Sequence, residues 1–207
     1  MTAMDASAAA NVGKDPAAVL AALAAAPWLA GERARLRPPR AEDVDALYAM
    51  YSDPEVMRYW SRPPMTGRAE AEAQLARYAE GFATRDALTW AITTQADDAL
   101  ADTCALFHLD AMHRRAEIGY ALHPRHQGRG LAREAVTLLL DWSFGALGLH
   151  RIEADIDPRN SASRGLLLRL GFRSEGPLRE RYLVDGAISD TEWFGLLARE
   201  WRACSRL

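Results

Sequence analysis

The chain has 207 residues, 28 of them acidic and 25 basic, for a formal net charge of −3. That length suits one domain with room for an appendage, and 49% hydrophobic residues are enough to bury a core. The mild acidity argues against nucleic-acid binding through bulk charge, no apolar run is long enough to span a bilayer, and Cys104 and Cys204, far apart, exclude a disulfide scaffold and a cysteine-built zinc site.

A soluble, cytoplasmic protein is the expectation. Residues Met1 to Gly31 hold thirteen alanines, but Asp5 precedes the run and Lys14 and Asp15 interrupt it, which is not the order of a secretion signal. Asp15-Pro16 reads as an N-cap followed by the first helical residue. A short helix over Ala17 to Ala26 is expected, ended by Pro27 and pinned to the main body by Trp28 and Leu29, with the first dozen residues disordered. The division is therefore 1–31 as an extension and 32–207 as the functional domain. Arg35-Leu36-Arg37 before Pro38-Pro39 suits a first strand. Ala41 to Tyr51 carries Val44, Leu47, Tyr48 and Tyr51 at helical spacing, and Arg68 to Phe82 resumes that period with Ala71, Leu75 and Tyr78. Leu88 to Thr94 and Thr103 to Leu109 read as strands around a turn at Gln95 to Asp98.

Ala116 to Leu122 is the next strand, followed by a loop from His123 to Gly130 and a long amphipathic helix with Leu131, Ala135, Leu138, Leu139 and Trp142 on one face. Arg151 to Asp157 alternates charged and apolar residues as a strand does. Asn160 to Leu170 is a short helix ended by Gly171, Phe172 enters another strand, and Thr191 to Leu197 is the last. The sum is a mixed α/β (α+β) domain, its helices interleaved with mostly antiparallel strands.

Gln127-Gly128-Arg129-Gly130-Leu131-Ala132 carries the strongest chemical signal. Glycines between a strand and a helix let the backbone approach a ligand, and the free N–H groups of the first helical turn make an anion site. Arg125, Arg129 and Arg133 add positive charge, so a diphosphate is the natural guest. A P-loop would need Lys-Ser/Thr after the second glycine, and Arg133 stands where a dinucleotide fingerprint needs glycine. A bare glycine-rich turn with an arginine-lined surface remains the alternative. His123 and His126 lack a third ligand nearby, so no metal is expected.

Gln127-x-x-Gly130-x-Ala132 resembles the acyl-CoA pyrophosphate motif of the GNAT superfamily of N-acetyltransferases. Glu117-Ile118-Gly119-Tyr120, Asn160-x-x-Ser163, Leu170-Gly171-Phe172, Glu175-Gly176-x-Leu178-Arg179 and Asp185-Gly186 follow in the order of its ribosomal-protein N-terminal (alanine/serine) acetyltransferase branch. The closing Leu196-Leu197-x-x-Glu200-Trp201, and Arg35-Leu36-Arg37-Pro38 with Ser52 to Met57 at the front, extend the likeness from about Arg33 to Trp201. It implies a mostly antiparallel sheet of about six to seven strands, helices on both faces, splayed after the fourth strand.

The resemblance also implies an acetyl-CoA-dependent transferase, with acetyl-CoA as co-substrate and no metal. Its acceptor would be a small-molecule amine or a protein N-terminus, with no nucleic acid or membrane partner and homodimer formation left open. Backbone N–H groups of Gln127, Gly128, Arg129, Gly130, Leu131 and Ala132 would hold the pyrophosphate, with Arg125, Arg129 or Arg133 on the ribose phosphate. Tyr120, Ala121 and Leu122 would pair with the pantetheine arm, and Asn160 would bind it while capping its own helix. Many members place a tyrosine acid where this chain has Leu167, so Ser163 takes that role by resemblance. Glu117 is the first candidate base; the alternative is a strand carboxylate paired with Arg114, Arg115 or Arg151. Glu180 and Asp185 fall in the acceptor segment, and Tyr59 and Trp60 would wall the acceptor pocket. A non-catalytic acyl-CoA-binding or regulatory module, or a nucleotide site at the same loop, stands as the alternative from another class.

Overall fold

Among the described residues, eight strands form one sheet and seven helices cover its two faces. The structure, a computed structural model, describes residues 14–94, 97–121 and 130–204, of which 202–204 without their side chains. In chain order these are α1 (Pro16–Ala22), β1 (Leu29–Ala30), β2 (Ala34–Arg37), a 3₁₀ turn Ala41–Asp43 running into α2 (Val44–Tyr51), α3 (Pro54–Met57), α4 (Arg68–Thr84), β3 (Leu88–Thr94), β4 (Asp102–Asp110) and β5 (Arg115–Ala121). Then come α5 (Leu131–Trp142), continued by a π-helical turn Ser143–Leu147, β6 (Arg151–Ile156), α6 (Ser161–Arg169), β7 (Arg173–Val184), β8 (Ala187–Leu197) and α7 (Ala198–Cys204). The strand order is β1-β2-β3-β4-β5-β6-β8-β7, and every neighbouring pair is antiparallel except β5 and β6.

The mixed, mostly antiparallel sheet is the one expected, with eight strands instead of six or seven. The additional strand is β1, whose two residues pair Leu29 with Leu36 and Ala30 with Arg35; two residues are too short to show alternation. α1 starts on the Asp15 cap, which accepts the Ala17 N–H, but it ends at Ala22, not Ala26. Leu23 leaves the helix with ψ 124°; in a continued helix Pro27 would have no N–H for the Leu23 carbonyl and its ring would clash with it. The extended stretch that results buries Ala26 in the core and brings the Pro27 carbonyl to the Trp90 indole N–H at 2.7 Å. Trp28 does not pin it: the ring is 55% exposed beneath Arg40, while Leu20, Leu23 and Leu29 pack inward. β8 begins at Ala187, earlier than Thr191, because β7 and β8 continue as a hairpin whose outer residues are exposed and therefore show no apolar pattern. No described helix is long and apolar enough to cross a membrane.

Alternation along the strands creates two cores. Trp90, Ile92, Cys104, Leu106, Ile118 and Ile152 face α5 and α6, where Ala135, Leu139 and Leu167 meet them. Ala91 and Ala121 face the opposite way, toward Leu47, Met50 and Tyr51 of α2 and Met57 of α3. α2 is fastened over this second face by a buried ion pair. Arg37, 2% exposed, donates to both oxygens of Asp43, 5% exposed, at 2.8 and 2.7 Å. Arg37 also donates to the Asp98 carbonyl at 2.8 Å, and Asp43 Oδ2 accepts the Arg40 N–H at 2.7 Å. The end of β2, the entry to α2 and the segment between β3 and β4 are thereby joined.

Removing one partner of such a pair strands a buried charge, which costs about 3–5 kcal/mol. Asp43→Ala is expected to lose stability on that scale in urea denaturation. The double variant Arg37→Met with Asp43→Leu, which leaves no charge behind, is expected to lose clearly less.

Candidate active site

β5 and β6 run side by side for only three residue pairs, Arg115 with Arg151, Ala116 with Ile152 and Glu117 with Glu153. Beyond Glu117, β5 continues along β4 as far as Ala121, and β6 continues along β8 as far as Ile156. The two strands therefore part, and a cavity of about 820 Å³ opens between them. Ile118, Gly119 and Tyr120 line one side of the opening and Ala154, Asp155 and Ile156 the other. Gly119 keeps the floor low: a Cβ there would stand 3.0 Å from the Phe107 ring. The cavity also reaches the start of α6, the β7–β8 hairpin and the segment after α3.

Glu117 lies where the strands part, its side chain 13% exposed, with Oε1 2.9 Å from His108 Nδ1. The arginines that might have neutralised it are engaged elsewhere. Arg115 and Arg151 both bond Glu153, at 3.2 and 2.7 Å, Arg151 also bonds Glu175, and Arg114 donates to the Gly148 carbonyl. His108 has no sequence signal. It arrives with φ 50° at an irregularity that shifts the β4–β5 register between Phe107 and Asp110, and such bulges re-aim side chains.

Across the opening, Asn160 Oδ1 accepts the Ser163 N–H at 3.0 Å and so caps α6. The Ser163 hydroxyl is 2.8 Å from that of Tyr120. Burial pushes the Tyr120 phenol up to about 12, with the Ser163 hydrogen bond pulling it partly back, so Tyr120 keeps its proton at neutral pH. Leu167 is fully buried in the core. Tyr59, Trp60 and Asp185 line the same cavity as Glu117, Tyr120, Asn160 and Ser163. Glu180 does not: it is exposed at a register shift of β7, with φ 53°, and its N–H donates to Asp190.

Gly130 takes the N-cap of α5 with φ 75°, a left-handed conformation that glycine adopts without strain, and Leu131, Ala132 and Arg133 form the first turn. Ala121 is buried at the end of β5. Leu122, Arg125, Gln127, Gly128 and Arg129 lie outside the described residues, as do His123 and His126. Among the described residues no three His, Cys, Asp or Glu side chains are grouped to hold a metal ion.

Sequence reasoning assigned Tyr51 and Tyr78 to helix faces in the core, yet both line the cavity. The Tyr51 hydroxyl is 2.9 Å from Thr103 Oγ1 and 3.0 Å from the Tyr78 hydroxyl. Burial raises both phenols, Tyr78 strongly. The Arg62 guanidinium stacks over the Tyr51 ring at 4.6 Å, and Trp60 meets the same ring edge-on at 5.5 Å. A tyrosine at an apolar helix position is read as core from periodicity; only the fold reveals that its hydroxyl end is part of a cleft.

The sequence pattern of the acetyltransferase (GNAT) domain matches residues 33–173. The uncharacterized N-acetyltransferase p20 of Bacillus licheniformis is 38% identical over 170 residues, covering 82% of this chain and 96% of its own. The spermidine N(1)-acetyltransferase of Escherichia coli K12 is 28% identical over 152 residues, 73% of this chain and 79% of its own. Among solved structures, a GCN5-related N-acetyltransferase from Brucella melitensis superposes with a TM-score of 0.78 at 31% identity, covering 87% of this chain and 83% of that one.

The hydroxyl chain is a measurable part of the cavity wall. Tyr51→Phe would leave the buried Thr103 hydroxyl without this partner, a loss of about 1–3 kcal/mol, to be measured by urea denaturation. A variant as stable as the parent would show that the chain contributes nothing to the wall.

Proposed function

The chain belongs to the GNAT family of acetyltransferases, an acetyl-CoA-dependent acyltransferase, and from that premise we propose that the acetyl group passes directly to a primary amine held beside Glu117. The acceptor is a small-molecule amine or a protein N-terminus, and the setting is the cytoplasm. The observation that carries this reading is the parting of β5 and β6 at Glu117, with the Tyr120–Ser163 hydroxyl pair joining β5 to the start of α6 in the same cavity.

Each task of the reaction has residues suited to it. The β6-facing edge of β5 beyond Glu117 has no ladder partner, so Tyr120, Ala121 and Leu122 are where a pantetheine arm adds like a strand, with Asn160 beside it. A backbone N–H of the same edge polarises the thioester carbonyl. Gly130, Leu131, Ala132 and Arg133 begin α5, whose free N–H groups and dipole favour an anion. By the motif, Gln127, Gly128 and Arg129 complete the pyrophosphate cradle, with Arg125 and Arg133 near the ribose phosphate.

Glu117 takes the proton of the acceptor ammonium, directly or through a water. The freed lone pair attacks the carbonyl carbon, the carbon–sulfur bond breaks with its electron pair going to sulfur, and the nitrogen, now bonded to carbon, gives its surplus proton to water. Ser163 gives that sulfur a proton and regains one from Tyr120, which solvent then reprotonates. Tyr59, Trp60 and Asp185 wall the acceptor.

Calorimetric titration with acetyl-CoA tests the first half. The wild type is expected to bind, and Gly130→Glu, which puts a carboxylate at the anion site, is expected not to bind while staying folded. A folded wild type that fails to bind acetyl-CoA would sink the transferase reading. Free-thiol release with a panel of amines tests the second half. Glu117→Gln is expected to lower kcat about 10²- to 10⁴-fold with acetyl-CoA affinity kept, and raising the pH should restore part of the rate.

A further inference from the structure

The cleft holds a guanidinium with no ion-pair partner among the described residues. Arg62, partly buried on the segment between α3 and α4, lines the cavity with its guanidinium over the rings of Tyr51, at 4.6 Å, and Trp60, at 5.9 Å. Among the described residues it has no carboxylate within ion-pair distance. Of the other arginines of the cavity, Arg159 is paired with Asp157 and Arg181 lies 3.8 Å from Asp155, while Arg58, which also has no ion pair among the described residues, is exposed over the Tyr59 ring at 5.3 Å. Nearby Glu70 feels the Arg62 charge, but makes its hydrogen bonds to the Thr66 N–H and hydroxyl and no ion pair with the guanidinium. Aromatic faces hold a guanidinium in place but accept no pair of hydrogen bonds from its fork. The charge is felt inside the cavity, since it pulls the Tyr51 and Tyr78 phenols down against the upward push of burial.

The carboxylates of the cleft show the opposite pattern. Asp155 accepts the Tyr182 hydroxyl at 2.6 Å, Asp157 is held by Arg159, and Asp190 accepts the Glu180 N–H. Among the described residues, Glu117 at the splay and Asp185 at the hairpin tip are the cleft carboxylates without an arginine or a backbone donor in hand.

We propose that the acceptor is an amino carboxylate, its amine at Glu117 and its carboxylate bidentate on Arg62, which makes Arg62 the residue that selects it. The inference rests on the acetyl-transfer reading of the same cleft. The strand register sets the length. Glu117 lies opposite Phe107, and the Tyr51 hydroxyl beneath Arg62 bonds Thr103, four residues away on β4. Four strand residues span about 13 Å. That backbone spacing sets the scale of the acceptor, and a chain of about five methylene groups with a hydrogen bond at each end is of that order.

Three straight-chain acceptors of equal length differ only in the far end: 6-aminohexanoate is negative there, hexylamine neutral and 1,6-diaminohexane positive. With acetyl-CoA and free-thiol detection, kcat/KM is expected to fall in that order, at least tenfold from first to last. Arg62→Gln should bring the three values together, Arg62→Glu should reverse the order, and Arg62→Lys should keep the order with a smaller ratio. These are ratios within one variant, so a general loss of folded enzyme cancels from them. Equal rates or a preference for the diamine in the wild type would overturn the proposal, as would an unchanged ratio in Arg62→Gln. So would refusal of all three acceptors by an enzyme that still binds acetyl-CoA. Failure to bind acetyl-CoA would instead count against the transferase reading.

Discussion

Everything around the cavity depends on two strands that stop pairing after three residues. β6 is held by β8 along its whole length, from Arg151 opposite Leu197 to Ile156 opposite Glu192. β5 is held by β4 as far as Ala121. Each strand keeps its outer neighbour and gives up its inner one, so a twisted sheet opens a gap in its own middle. Backbone groups in a sheet interior are normally all paired. An edge left open there suits a partner that is itself extended and amide-bearing, and the surface costs of forming it fall on the site, where they are recovered when that partner binds.

The pairing that does persist is secured by charge. Arg115 and Arg151 converge on Glu153, which is nearly buried, and Arg151 reaches on to Glu175 of β7. The effect extends beyond stability. Glu117 and Glu153 are register partners, two carboxylates side by side on adjacent strands. Both arginines go to Glu153, so Glu117 keeps company with an imidazole. The division of partners leaves the carboxylate at the splay point without an arginine and commits the one behind it to holding the strands together. The Arg37–Asp43 pair acts similarly at the other end of the cleft. It fixes the entry of α2, which carries Tyr51, and Tyr51 in turn fixes Arg62 and Trp60.

The parts of this arrangement that were legible in the sequence are those written in local pattern. Leu88–Thr94 was readable as a strand to the residue, and α5 through its apolar stripe of Leu131, Ala135 and Leu139. Asn160 with Ser163 three residues later was readable as a cap, and it is one. What was not legible comes from register and long-range approach. His108 reaches Glu117 through a shift in strand pairing, Tyr120 meets Ser163 across 43 positions of chain, and Tyr51 meets Thr103 across 52. Glu180 illustrates the reverse case. It sits in the right segment, yet a register shift in β7 turns it outward.

Leu167 belongs to the packing of the domain. The position is fully buried against the core shared by α5 and α6, so a phenol there would need a hydrogen-bond partner that an apolar core does not offer. A phenol is nevertheless present at the gap, supplied by Tyr120 from β5, whose hydroxyl lies 2.8 Å from the Ser163 hydroxyl at the start of α6. A strand residue is placed by the ladder with β4, pairing with Cys104, and so is less free to shift than one on a short helix. Burial keeps that phenol protonated across the neutral range. The hydroxyl pair thus ties β5 to the start of α6 beside the gap, and Glu117, on the same strand, stands where that gap begins.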